Sequence, residues 1–220
     1  MGQIVDLAEA RADRSRPSRG LASFFFALDC PISYIAAERI ERIFGEIDWV
    51  PLAGPAHSLG VPCSVAESNR RAGDRLAIAS NHAERLRLPL VEPDGFPMLD
   101  GRPAARAAVC AVELGKGRRF ALAALRLAFC GGYDLSDRAV IAEAAIASDL
   151  PAAELVAAAD DQRHDVALDA TRRGMLARGV TSGPAIRIGS RWCEGLEAVP
   201  GASAVAVARA LQSGPAGQGI

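Results

Sequence analysis

The feature that most constrains this chain is a change of period at Asp29-Cys30-Pro31. Before it, Leu21, Ala22, Ser23, Phe24, Phe25, Phe26, Ala27 and Leu28 form an unbroken run, too apolar for a half-wet edge strand and suited to a central strand covered on both faces. After it, Ile32, Ala36, Ile40 and Ile43 recur at helical spacing, widened by Ile35 and Phe44, while Glu38, Arg39, Glu41 and Arg42 take the wetter side. Glu38 and Arg42 stand one turn apart and can pair, and Gly45 supplies a stop. Ile47 to Leu52 reads as a second strand, closed by Pro51 and Gly54. A β-α-β opening implies two parallel strands joined by a right-handed crossover, so the chain is expected to be an α/β protein.

The next stretch, Ala53 to Pro103, is divided by prolines and holds one expected helix around Ser64 to Ala79. Beyond Pro103 the sequence turns alanine-rich, and five helices are expected over Ala104–Leu114, Arg118–Phe129, Ser136–Ala147, Pro151–Ala159 and Gln162–Arg178. Asp134 or Ser136 can cap the third, and Pro151 suits a first helical turn. With no strand signal between them, these helices read as an insertion packed against the α/β part. Ala185–Ile188, a Gly189-Ser190 turn and Arg191–Glu194 form a hairpin candidate, followed by a helix over Ala202–Leu211.

Composition bounds the function. The 220 residues are 50% hydrophobic, with a formal charge of -1 and 5% aromatics. That leaves neither a positive field nor a stacking platform for nucleic acid, and no apolar run approaches the roughly 20 residues of a membrane span. Arg11, Arg14, Arg16 and Arg19 follow an acidic start without a secretory pattern, so a cytoplasmic location is expected. Cys30, Cys63, Cys110, Cys130 and Cys193 are an odd, widely spaced set that suits reduced thiols. No Cys-x-x-Cys pair occurs, and His57, His82 and His164 suggest no common site, so no metal is expected.

Cys30 is the residue with a route to reactivity. At the start of a helix its sulfur can approach unpaired backbone N–H groups and the positive end of the helix dipole, a setting in which cysteines become nucleophilic. Pro31 costs nothing at the first helical position. Ser33 can offer a hydroxyl to the sulfur or to a ligand, and Tyr34 a second one, unless it faces the core. Cys63, Cys110, Cys130 and Cys193 read as packing residues, as do Trp49 and Trp192, the latter also a candidate cleft wall. Asn69, Arg70 and Arg71 could reach an acidic substrate or simply form a solvated face, and His57 and His82 are read in loops near the cleft mouth.

Cys30-Pro31-Ile32-Ser33 resembles the dithiol motif of DsbA-like thioredoxin-fold proteins with serine in place of the second cysteine. The segment Asp29, Cys30, Pro31, Ile32, Ser33, Tyr34, Ala37, Glu38 is still more similar to the opening of the 2-hydroxychromene-2-carboxylate isomerases and kappa-class glutathione transferases. Phe96-Pro97 with Arg102, Ala105 and Arg106, then Asp134-Leu135-Ser136-Asp137 with Val140, Ile141 and Ala144, and finally Gly179-Val180-Thr181-Ser182-Gly183-Pro184 continue that similarity in order.

The resemblance implies a thioredoxin-like fold with an inserted all-helical subdomain. It divides the chain into a flexible N-terminal extension (1–20), the first thioredoxin-like half (21–52), a mainly helical insertion (53–178), the second half (179–211) and a flexible tail (212–220). It also implies a homodimer, a cis Pro184, and glutathione or another low-molecular-weight thiol as cofactor, bound near Pro31, Tyr34, Gly183, Pro184 and Glu197. The family's catalytic serine, which holds glutathione's sulfur, maps onto Cys30, with Ser33 as its helper. The chain departs from the pattern at Gly195-Leu196-Glu197-Ala198, where the family's Asp-Arg pair is reduced to one longer acid.

Three functions follow. The first is a thiol-dependent isomerase or transferase acting on a small aromatic or electrophilic acid. The second is a single-cysteine thiol-disulfide oxidoreductase in which Cys30 attacks and an external thiol resolves. The third is a non-catalytic binding protein with a degenerate site.

Overall fold

The structure is a computed structural model that describes residues 22–44, 47–54, 59, 64–97 and 100–212. Leu21, Gly45, His57, Cys63, the 1–20 extension and the tail after residue 212 lie outside the described residues.

Among the described residues four strands form one sheet in the order β2-β1-β3-β4. Strand β1 (Ala22–Ala27) pairs parallel with β2 (Asp48–Leu52), with Phe24 opposite Trp49, and antiparallel with β3 (Ala185–Ile188), with Phe24 opposite Ile186. Strand β4 (Arg191–Glu194) closes the hairpin on β3. All six residues of β1 are buried, as its apolar run demands of a central strand. Phe24 and Phe26 alternate with Phe25: the first two meet Trp49 edge-on, whereas Phe25 packs on Trp192 with ring centroids 4.8 Å apart.

Helix α1 (Pro31–Ile43) returns the chain from β1 to β2. The helical insertion follows as α2 (Val65–Leu86), α3 (Arg102–Glu113), α4 (Gly117–Phe129), α5 (Arg138–Ile146) and α6 (Ala152–Asp160), before α7 (Asp165–Leu176) leads back to β3 and α8 (Ala198–Gln212) ends the fold. This is the expected thioredoxin-like α/β architecture with a helical insertion between its strands. Two arginines near the start of α3 fasten it to α7: Arg106 grips Asp165 with two hydrogen bonds of 2.9 and 2.8 Å, and Arg102 reaches Asp169 at 3.1 Å.

Several local readings need correction. Helix α2 runs to Leu86 rather than stopping at Ala79, because Ala72, Ala79 and Ala83 form a buried stripe too weakly apolar to mark its length. Its start does carry a capping signal, Ser64 accepting the N–H of Glu67 at 3.2 Å. Asp137 caps α5; Asp134 instead accepts the backbone N–H of Ser136 at 2.8 Å. Pro151 is the cap residue of α6, outside its first turn. The Gln162–Arg178 helix divides into a short 3-10 turn, Gln162–His164, and α7. The last helix begins at Ala198 rather than Ala202, since Pro200 falls in its first turn where a missing N–H is harmless. Glu38 is taken by Arg126 of α4 at 3.0 Å, and Arg42 is left exposed.

Among the described residues no helix is long and apolar enough to cross a membrane, and no group of three or more His, Cys, Asp or Glu side chains could hold a metal ion.

Candidate active site

Cys30 is the N-cap residue of α1, in extended conformation (φ -119°, ψ 113°), with Pro31 opening the helix. Its side chain makes no cap hydrogen bond, so the sulfur is not consumed in holding the helix end. The residue is 2% exposed.

The loop before β3 faces it. The Gly183–Pro184 peptide is cis. One carboxylate oxygen, Glu194 Oε2 at the end of β4, accepts the N–H groups of Thr181 and Ser182 at 3.1 Å each and the Ser182 hydroxyl at 3.2 Å. The Pro184 carbonyl accepts the N–H of Gly195 at 2.8 Å. The hairpin thereby fixes the turn from behind.

Arg75, from α2, joins the two sides. Its Nη2 donates to Cys30 Sγ at 3.3 Å and also to the Gly183 carbonyl oxygen. Because a single nitrogen touches both, the sulfur and the proline turn lie less than two hydrogen-bond lengths apart. Arg75 Nε is enclosed and has no hydrogen-bond partner.

The other candidates are placed differently. Ser33 is fully buried, and its oxygen accepts the N–H of Ala27 at 3.1 Å, tying the end of β1 to α1. Tyr34 faces the insertion: its hydroxyl donates to the Pro89 carbonyl at 2.9 Å and accepts from the Cys130 thiol at 3.1 Å, and its ring stacks on Phe129. Burial, and then the Cys130 hydrogen bond, push the Tyr34 hydroxyl well above the ordinary tyrosine range. Glu197 lies exposed on the 3-10 turn Gly195–Glu197, and the acid that reaches the loop is Glu194. Arg70 and Arg71 are both engaged by Glu67 on their own helix, and His82 belongs to α2 rather than to a loop. Cys110 is a packing residue whose thiol is pushed up to about 11 by burial first and by the nearby Glu154 and Glu113 charges second.

Two participants escape a reading of the sequence. Arg75 follows Arg71 by one helical turn, but only the fold shows that this turn faces Cys30. Asp29 precedes Cys30 directly and looks like a polar strand end. The residue keeps some surface, yet its Oδ1 is sealed from solvent without a hydrogen-bond partner. Burial raises its carboxyl to about 6, a rise that its own backbone N–H and the Arg75 charge only partly offset. Asp29 lines a narrow cavity with Phe96, Phe129, Tyr133 and Asp134, and Gly101 lies beside it, where an added Cβ would stand 3.4 Å from Oδ2.

A sulfur at a helix start, a guanidinium against it and a fixed main-chain turn beside it can carry out nucleophilic thiol chemistry. In comparison with known proteins, the DSBA-like thioredoxin domain family matches residues 23–211. No curated protein matches the chain by sequence. Among solved structures, a 2-hydroxychromene-2-carboxylate isomerase is similar with a TM-score of 0.72 at 14% identity, over 87% of this chain and 96% of that one. The cytosolic disulfide reductase DsbM from Pseudomonas aeruginosa, solved with GSH, gives 0.60 at 17% identity over 87% and 98%. A DsbA variant from the same organism gives 0.50 at 11% identity over 87% of each chain. At such identities the likeness is one of fold.

Proposed function

The chain belongs to the DSBA-like thioredoxin domain family, and from that premise we propose that it is a thiol-dependent isomerase or transferase of small electrophilic acids, with the Cys30 sulfur as the reacting atom. The observation that carries this reading is the shared contact of Arg75 with Cys30 Sγ and the Gly183 carbonyl, which brings the sulfur, a cation and the turn together. A guanidinium N–H is a stronger donor to an anion than to a neutral group, so Arg75 supports the sulfur once its proton has left to solvent.

In the isomerisation, the sulfur anion forms a bond to the β-carbon of an unsaturated acid or ketone. The π pair moves onto the carbonyl oxygen, and the former double bond can rotate. Collapse of that enolate restores the double bond and expels the sulfur as the anion, so no redox partner is consumed. The chain departs from the family's glutathione pattern at Ala198, which stands where that pattern has arginine. No step is therefore assigned to it.

The test is turnover of 2-hydroxychromene-2-carboxylate followed by absorbance, with intact-mass detection of a Cys30 adduct. Cys30→Ala is expected to lower the rate by at least about 100-fold, as loss of a covalent nucleophile does. Turnover by Cys30→Ala at the wild-type rate would discard the assignment.

A second reading rests on the same contact of Cys30 with Arg75 beside the cis Gly183–Pro184 turn, with Ser33 supplying no second thiol. In it, Cys30 attacks a disulfide, one half leaves as a thiolate, and a low-molecular-weight thiol from solution displaces the other half and restores Cys30. A mixed disulfide trapped on Cys30, with its release first-order in added thiol, would select this course over the addition.

A further inference from the structure

Arg75 stands on the inward face of α2, one turn before the buried Ala79 and one turn after the buried Ala72. Arg70 and Arg71 on the same helix share the carboxylate of Glu67. Arg75 has no such partner: among the described residues its hydrogen bonds go to a sulfur and a carbonyl oxygen, no carboxylate lies within ion-pair distance, and Nε is enclosed without an acceptor. Asp29 acts on it only through its charge, without a hydrogen bond between them. A cation held in this way calls for an anion, and with Nη2 committed to the sulfur and the carbonyl and Nε enclosed, Nη1 is the nitrogen left to donate to one.

We infer that Arg75 is the specificity-determining residue of this site, receiving the carboxylate of an incoming electrophile and thereby delivering the adjacent electrophilic carbon to Cys30. The nitrogen that touches the sulfur belongs to the same planar group, so a carboxylate oxygen held by Nη1 keeps a carbon one or two bonds away beside Sγ. Neutral electrophiles of equal size gain nothing from this contact. The inference rests on the proposed reactivity of Cys30 and adds to it a choice among substrates by charge and by the spacing between carboxylate and reacting carbon.

The experiment compares alkylation of Cys30 in the full chain by iodoacetate and by iodoacetamide at low salt, with the Cys30 peptide quantified by mass spectrometry and free N-acetylcysteine as reference. The two reagents differ in the carboxylate and share the reacting carbon. The expected result is an iodoacetate-to-iodoacetamide rate ratio about tenfold above that of the reference thiol, a gap of ~1.4 kcal/mol in barrier. Arg75→Gln should return the ratio to the reference value, and Arg75→Lys should keep part of it. Should Arg75→Gln fail to fold, protection of wild-type Cys30 from iodoacetamide by acetate, and not by acetamide, provides the same discrimination. A wild-type ratio equal to the reference, or one unchanged in Arg75→Gln, would overturn the role of Arg75 while leaving a fast iodoacetamide reaction as support for Cys30. A Cys30 inert to both reagents would remove the reactive-sulfur reading and this inference together.

Discussion

Replacing Asp29 by asparagine measures what it costs to keep that carboxyl group inside. The folded protein holds it at about 6 against an ordinary 3.8. With 1.36 kcal/mol for each tenfold change in proton affinity, the difference corresponds to ~3 kcal/mol, or ~1–2 kcal/mol once the residue's partial exposure is discounted. The sign follows from linkage. Below the unfolded value the group is protonated in both states and the folded state bears no penalty; as the pH rises through about 6 the folded state must ionise a carboxyl it has desolvated, and that stability is lost. Asparagine keeps the shape and never ionises. The variant should therefore match wild type within about 0.5 kcal/mol near pH 4 and exceed it by ~1–2 kcal/mol at pH 7.5. Urea unfolding at both pH values, followed by the fluorescence of Trp49 and Trp192, gives the two differences, and subtracting variant from wild type cancels the other titrating groups. A stability difference that stays flat from pH 4 to 8, or a variant that is weaker at pH 7.5, would show that burial does not govern this carboxyl.

Glu194→Ala removes the acceptor of three hydrogen bonds from the 181–182 segment, so it should cost ~2–3 kcal/mol in urea unfolding and slow Cys30 alkylation, whereas Glu197→Ala at an exposed position should change stability by less than about 0.5 kcal/mol. Arg106→Ala leaves Asp165 with Arg102 alone, 3.2 Å away, and should lower stability by ~1–3 kcal/mol at neutral pH. Hydrogen bonding to Arg106, despite some burial, holds the Asp165 carboxyl below the ordinary range. The wild-type advantage over Arg106→Ala is thus present above the unfolded value and should shrink as pH falls through the lowered one, which paired melts at pH 7 and pH 2.5 would reveal.

What could be read in advance was local. The Phe24–Phe26 run, the proline after Cys30 and the Gly189-Ser190 turn each report a conformation through a few neighbours, and β1, α1 and the β3–β4 hairpin follow from them. Destinations across the fold were not legible. The turn that carries Arg75 looks like Arg70 and Arg71 until α2 is seen to continue past Ala79 and lie on α1. Glu197 occupies the position the family pattern singles out, but the backbone sends it to solvent and brings Glu194 to the loop instead. Ser33 reads as a helper of the sulfur, and only the packing of α1 against β1 shows its oxygen turned to Ala27. Asp29 shows how burial hides: a single acid beside a cysteine looks solvated until Gly101 and the Phe96–Phe129 wall are seen beside it.

The Glu194 carboxylate sits directly across from Ala185 in the ladder. Sliding β4 by one residue would swing that side chain to the opposite surface and let go of the loop it clasps. The register of the outermost strand on β3 and the shape of the turn beside Cys30 are thereby set by one and the same side chain.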